Sequence, residues 1–247
     1  MSDKKRSFDL VADIGEGFGR YKLLDDKEIL DVISAANIAC GFHAGDPKIM
    51  NEVVRACVEK HVQIGAHPSF RDLQGFGRRQ MIVDPDELEA DLVYQIGALQ
   101  AFAHRHGGHV SHVTLHGALG NMACERRDYA EAVLRAVRSC GSQMKIFVWA
   151  GELLDVCIEE SVPHTVLGFA DRAYNNNKTL VSRQLPGSVI TENDVVVERV
   201  LKMARTGKVT SLSGSEITIN CEAVLLHGDT PESLALSKLV RNALDNA

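Results

Sequence analysis

The chain has 247 residues, with 27 lysines and arginines against 33 aspartates and glutamates, which gives a formal net charge of −6. This acidic balance argues against a nucleic-acid-binding protein, because such a protein needs a basic face for phosphates. Apolar residues make up 45% of the chain, yet they form no run of about 18 that could span a membrane.

Short apolar runs alternate with longer amphipathic segments along the whole chain. This alternation predicts repeated strand–helix units, because the short runs match buried strands and the longer segments have helical spacing. No Pro-rich or Ser-rich linker interrupts the series. The predicted strands are 8–13, 36–40, 62–66, 110–115, 145–149, 165–169 and 223–226.

Local signals place helices between these strands. Asp46-Pro47 and Asp84-Pro85 each combine an N-cap residue with a proline at the first helical position. Helices are predicted over about 26–32, from 46, over 84–107, 127–141, 152–160 and 191–207, and from 231, with a hairpin over 209–219.

Seven such units predict an α/β fold, a single seven-stranded β/α barrel over residues 1–247, related to the (β/α)₈ plan. A doubly wound open sheet is the alternative, since the pattern alone does not show closure.

Polar side chains follow or end most of the predicted strands. In parallel α/β folds the carboxyl ends of the strands meet at one rim, where chemistry gathers. We therefore expect one catalytic or binding site at this rim. Its candidate residues are Asp13, Glu16, Asn37, His43, Asp46, His67, His116, Asn121, Asp171, Arg172, His227 and Asp229.

The ten histidines divide into two groups. Four have small or rigid neighbours and follow four different strands, which favours a shared site over four separate structural roles. These four are His43, His67, His116 and His227. The other six are predicted to be solvated or capping residues. They are His61, His104, His106, His109, His112 and His164.

A bound divalent metal is a further possibility at this rim. Asp13, His43 and His67 could form a three-ligand site, since zinc accepts carboxylate and imidazole ligands. The sequence has no HExxH motif, and the spacing of these residues does not decide the question.

Two loops are candidates for anion binding. The loop over 70–79 is either a solvated surface loop or a mobile lid that brings Arg78 and Arg79 to a carboxylate or phosphate. The glycine-rich segment 15–19 lacks the Lys-Ser/Thr ending of a phosphate-binding P-loop.

The six cysteines are widely spaced and include no CxxC pair, which is typical of reduced, buried thiols. Neither a disulfide framework nor a cysteine zinc site is expected. The first six residues lead into a strand-like run without a secretory apolar segment, so we expect a cytoplasmic protein.

Several motifs, taken in order, resemble the LamB/YcsF family, which includes the A subunit of bacterial 5-oxoprolinase. The resemblance implies a barrel akin to the glycoside hydrolase/deacetylase class. It also implies ATP-dependent opening of 5-oxoproline to glutamate with two partner subunits. The motifs are DIGEGFG (13–19), SAANIACGFHAGDP (34–47), IGAHPSF with GFGRR (64–79), YQIGAL (94–99), HGAL (116–119), FADRAY with LVSR (169–183) and HGDTP (227–231).

The chain departs from the family pattern at four positions. Thr114 and Leu115 stand where the family usually has lysine and proline, Gly120 where it has tyrosine, and Val11 where it has asparagine. Threonine cannot supply the charge with which a lysine would bind phosphate or carboxylate. Either another arginine supplies that charge, or the chain has diverged in substrate or activity.

These observations favour hydrolysis of a C–N bond in a small lactam or amide. Asp13, His43, His67 and His116 are the candidate catalytic residues, since histidine exchanges protons near neutral pH. Arg78, Arg79 or Arg172 would hold a carboxylate or phosphate. The alternatives are a metal-dependent hydrolase acting alone and a non-catalytic subunit, and a homo-oligomer is possible.

Overall fold

A computed structural model describes residues 8–21, 26–226 and 233–246 of the chain. Seven parallel strands close into a barrel in chain order, which confirms the predicted barrel and excludes the open sheet. The barrel strands are β1 (Asp9–Ile14), β2 (Ala35–Ala39), β3 (Gln63–His67), β4 (Val110–Thr114), β5 (Lys145–Val148), β6 (His164–Phe169) and β9 (Ala223–Leu226).

Helices cover the outside of the barrel, as expected when parallel strands are joined by crossover connections. The described helices are α1 (Asp26–Ile29), α2 (Pro47–Glu59), α3 (Pro85–Arg105), α4 (Gly117–Glu125), α5 (Arg127–Cys140), α6 (Glu152–Glu159), α7 (Asn193–Thr206) and α8 (Ser233–Asp245). In the parts of the chain that the structure describes, no helix is long and apolar enough to cross a membrane.

The barrel strands consist mainly of apolar residues, as is typical of parallel strands that are covered on both faces. All five residues of β2 are buried, and β9 is buried along its whole length. The predicted hairpin is confirmed as an antiparallel pair, β7 (Lys208–Thr210) with β8 (Glu216–Thr218), which lies outside the barrel sheet. All six cysteines are free thiols, as expected.

Helix α4 was not predicted from the sequence. It begins at Gly117, directly after His116, and it contains a second glycine at Gly120. Glycine has low helix propensity, so the segment gives a weak helical signal. Burial of its apolar side chains against α5 and α6 compensates for that low propensity.

Candidate active site

A layer of polar residues crosses the barrel interior near the carboxyl ends of four neighbouring strands. Asp13 of β1 is in register with Asn37 of β2, which is in register with Gly65 of β3. Gly65 pairs in turn with His112 of β4. A Cβ at Gly65 would lie 2.0 Å from Nε2 of His112, so only glycine lets this ring pass over β3 toward Asn37.

The side-chain amide of Asn37 is held in one orientation by three hydrogen bonds. Its Nδ2 donates to Oδ1 of Asp13 at 2.8 Å. Its Oδ1 accepts from Oγ1 of Thr114 at 2.8 Å and from Nε2 of His112 at 3.0 Å. Because a carboxylate only accepts and a hydroxyl can donate, these partners fix which end of the amide faces Asp13.

His112 is neutral in this arrangement and carries its proton on Nε2. Burial lowers its pKa to about 3, and the charges of His67 and Lys145 act in the same direction. Its Nδ1 lies 2.9 Å from the hydroxyl of Ser111, and its ring stacks on Phe147. The expectation that His112 is solvated or capping is therefore wrong, because alternation along β4 places residues 112 and 114 on the same interior face.

His67 and His116 face each other at the carboxyl end of the barrel. Nδ1 of His67 donates to the carbonyl of Thr114 at 2.7 Å, and Nε2 of His116 donates to the carbonyl of Phe76 at 2.9 Å. Their remaining nitrogens are 3.0 Å apart. Oδ1 of Asp13 lies 3.4 Å from Nε2 of His67.

Glu16 and His43 form a carboxylate–imidazole pair beside these two histidines. Nε2 of His43 lies 3.3 Å from Oε1 of Glu16, and the two side chains are 7% exposed for Glu16 and 0% for His43. Nδ1 of His43 is buried and has no hydrogen-bond partner among the described residues. The His43 ring stacks on His116, with a centroid distance of 3.7 Å and an interplanar angle of 6°.

The electrostatic surroundings shift the pKa values of these histidines in different directions. Burial lowers the pKa of His43 well below its usual range, and the positive charges of His67 and Arg78 add to this effect. The pKa of His116 is lowered by burial and by His43 and His67. Burial also opposes charge on His67, yet the carboxylates of Asp13 and Glu16 outweigh it and raise the pKa of His67.

The loop over 70–79 packs against the site. Gly77 has a φ of +62°, and a Cβ there would lie 2.7 Å from Cδ2 of His116 and 2.3 Å from Oγ of Ser69. Its carbonyl accepts from the amide of Ala118, the second residue of α4, at 2.9 Å. The loop is therefore held by the same backbone that positions His116.

Some predicted binding residues have other partners. Asp46 caps α2 by accepting from the amides of Lys48 and Ile49, and it also accepts from the amide of Gly19 at 2.8 Å. Arg79 forms an ion pair with the buried carboxylate of Asp72. This pairing differs from the expected approach of Arg79 to a ligand.

The remaining candidates lie in three settings. Asp171 and Arg172 are buried just after β6, and the Arg172 guanidinium donates to the carbonyls of Val181 and Ser188. Burial lowers the pKa of Arg172 to about 10, and the positive charges of Arg183 and Arg78 act in the same direction. Asn121 is exposed on α4, while His227 and Asp229 lie outside the described residues.

Each departure from the family pattern has a defined place. The Thr114 hydroxyl is part of the Asn37 network, and Leu115 and Val11 are buried in the core. At Gly120 an added Cβ would lie 2.6 Å from Cη2 of Trp149, so the indole occupies the space beside this glycine.

The donor atoms of Glu16, His43, His67 and His116 all lie within 4.8 Å of one another. This cluster differs from the three ligands considered from the sequence, because it contains Glu16 and His116 in place of Asp13. Imidazole and carboxylate donors are the ligands of zinc-type ions, so the chemistry of the set fits such a metal.

Comparison with known proteins places this geometry in a family. The chain matches the model of the LamB/YcsF family over residues 8–247. It is 43% identical to the 5-oxoprolinase A subunit of Natranaerobius thermophilus, covering 96% of this chain and 92% of that protein. It is 46% identical to the 5-oxoprolinase A subunit of Streptomyces avermitilis, covering 96% and 95%.

A solved structure agrees with these sequence matches. The lactam utilization protein of Thermus thermophilus superposes with a TM-score of 0.92 at 37% identity, covering 97% of this chain and 96% of that one. The barrel, its rim of histidines and the sequence match over residues 8–247 lead to one conclusion: this chain belongs to the LamB/YcsF family.

Proposed function

We propose that this chain is the A subunit of a 5-oxoprolinase, which opens the cyclic amide 5-oxoproline to L-glutamate with ATP and partner subunits. Relatives that bear this name match almost the whole chain. The observation that carries the proposal is the buried Glu16–His43 pair. Nδ1 of His43 has no hydrogen-bond partner among the described residues. The His43 ring also lies beside the rings of His67 and His116.

Opening the lactam breaks its C–N bond and adds one water, and the accompanying cleavage of ATP to ADP and phosphate consumes a second water. The hydroxyl of the first water goes to the carbonyl carbon, and the proton goes to the ring nitrogen. The reaction therefore needs one group that takes a proton from water and one that stabilises charge on the carbonyl oxygen.

His43 suits the role of the proton acceptor. If its Nε2–H donates to Glu16 at 3.3 Å, the carboxylate fixes the ring and leaves the lone pair on Nδ1 available. The lowered pKa of His43, caused first by burial, keeps the ring neutral, so the lone pair on Nδ1 is not already protonated. This arrangement follows the logic of a base that is oriented by a third group.

His67 and His116 suit the role of stabilising the carbonyl oxygen. Positive charge held between their facing nitrogens, 3.0 Å apart, would polarise a carbonyl placed beside them. Asp13 favours that charge from the barrel side, where its Oδ1 lies 3.4 Å from Nε2 of His67.

The arginines near the rim suit the substrate carboxylate. Arg78 is close enough to His43 for its charge to lower the pKa of that ring, and it also acts on buried Arg172. We assign these two arginines to the carboxylate of 5-oxoproline, which guanidinium groups bind well.

We assign ATP to the partner subunits. In this chain the amide of Gly19 in the glycine-rich segment donates to the carboxylate of Asp46. A carboxylate in that position repels a phosphate electrostatically.

Reconstitution tests the proposal. The purified chain is mixed with its partner subunits, ATP and 5-oxoproline, and glutamate is measured by chromatography. We expect glutamate only when all components are present, and its absence would refute the assignment. Amide hydrolysis by the isolated chain without ATP would instead support a hydrolase that acts alone.

A further inference from the structure

Glu16, His67 and His116 point their ligand atoms into one small, largely buried space. Nδ1 of His116 lies 3.0 Å from Nε2 of His67 and 3.5 Å from Oε1 of Glu16. The three side chains are 7%, 3% and 6% exposed, respectively.

The two facing nitrogens cannot both be neutral acceptors without a cation between them. The opposite nitrogen of each ring already donates to a backbone carbonyl, that of Thr114 for His67 and that of Phe76 for His116. A neutral imidazole has one proton, so both inward nitrogens then carry lone pairs. At 3.0 Å these lone pairs repel unless a proton or a metal ion lies at this position.

We propose that Oε1 of Glu16, Nε2 of His67 and Nδ1 of His116 bind a divalent transition metal of the zinc class. In a tetrahedral site with bonds of about 2.0–2.1 Å, the ligand atoms are about 3.3–3.4 Å apart. The observed separations of 3.0 and 3.5 Å lie on either side of this value. Two histidines and one glutamate leave a fourth position for water or substrate, as in catalytic zinc sites.

Outer hydrogen bonds support each of the three ligands. Metal-ligating histidines almost always donate their other N–H to a carbonyl, carboxylate or water, which fixes the tautomer. His67 and His116 both do so within the protein. Glu16 is paired with Nε2 of His43, which orients its carboxylate.

His43 is excluded from the ligand set by its orientation. Its ring is nearly parallel to that of His116, with the centroids 3.7 Å apart. An imidazole lone pair lies in the plane of its ring, so one ion cannot lie in both of these parallel planes. Asp13 does not belong to this group of four; its Oδ1 accepts a hydrogen bond from Asn37 and lies beside the ligand set, 3.4 Å from Nε2 of His67.

Metal titration of the chelator-treated chain tests this site without substrate, ATP or partner subunits, so its outcome is independent of the proposed reaction. Zinc binding is followed by calorimetry, and the absorption of bound Co(II) reports four-coordination. We expect about one equivalent per chain. Glu16→Gln and His116→Ala should each weaken binding at least about 100-fold, since loss of outer-shell partners alone costs 10–100-fold.

Two control variants separate the assigned ligands from other histidines. His104→Ala changes an exposed residue of α3 and should bind like the wild type. His43→Ala should still bind one equivalent at saturating metal, with an affinity lowered by no more than the roughly 10–100-fold typical of a lost outer-shell partner, and failure to bind at saturation would refute the ligand set. Less than about 0.1 equivalent in the wild type, with every variant folded by circular dichroism, would overturn the metal site itself.

Discussion

Replacing Asn37 by leucine tests the polar layer inside the barrel. Asn37 is 0% exposed, and its amide joins β1 to β4 through Asp13, Thr114 and His112. Leucine has similar size but cannot form these bonds, so the variant removes one hydrogen-bond partner from each of three buried polar groups. The perturbation therefore isolates hydrogen bonding from cavity formation.

The expected loss of stability follows from those three groups. Loss of a buried hydrogen-bond partner costs about 1–3 kcal/mol for each group. The sum is about 3–9 kcal/mol, which the added apolar burial of leucine reduces by about 1–2 kcal/mol. We expect a net loss of about 1–8 kcal/mol, against the 5–15 kcal/mol typical of a folded protein.

Urea denaturation followed by circular dichroism measures this loss. The control is Asn121→Leu on the exposed face of α4, for which a change within about 0.5 kcal/mol is expected. If Asn37→Leu lowered the unfolding free energy by less than about 1 kcal/mol at an unchanged m value, the hydrogen-bonded layer would not exist as described.

Three further predictions concern single contacts. Thr114→Val removes one donor to Asn37 and should cost about 1 kcal/mol in the same urea assay, while an unchanged midpoint would count against that bond. Gly77→Ala adds a Cβ that meets His116 at a φ of +62°, so we expect a lower melting temperature and loss of activity in the reconstituted complex. A variant that keeps both would contradict this packing. Hydrogen bonds from Arg79 outweigh the effect of burial and lower the pKa of Asp72 below its value in the unfolded chain. The ionised carboxylate therefore stabilises the fold at any pH above the unfolded pKa. This stabilisation is lost as the pH falls through the folded pKa. As the pH is lowered from neutral into the acid range, the stability of the wild type should fall more steeply than that of Asp72→Asn, and parallel curves would oppose the assignment.

The barrel was predictable because apolar runs and cap signals repeat in chain order. The same order predicts that His43, His67 and His116 meet, since the carboxyl ends of parallel strands share one rim. Sequence reasoning missed the role of His112 because its neighbours carry no special signal. The available clue was its spacing of two residues from Thr114, which places both side chains in the barrel.

The arginine loop shows why residue type alone was insufficient. Two adjacent arginines suggest an anion site, but the ion pair between Arg79 and Asp72 depends on a local turn. The amide of Gly77 donates to the carbonyl of Asp72, and this turn brings the two side chains together. Similarly, Asp46 serves as a helix cap, a structural role that its position before Pro47 already indicated.

His43 is the residue on which the proposed catalysis at this rim depends most. The most direct measurement is the rate of ATP-dependent glutamate formation by the reconstituted complex, with wild-type chain, His43→Ala and the exposed control His104→Ala. A positioned proton acceptor typically contributes 10²–10⁴-fold, so we expect a loss of about that size for His43→Ala alone. Equal rates for all three chains would contradict the claim and indicate a non-catalytic subunit.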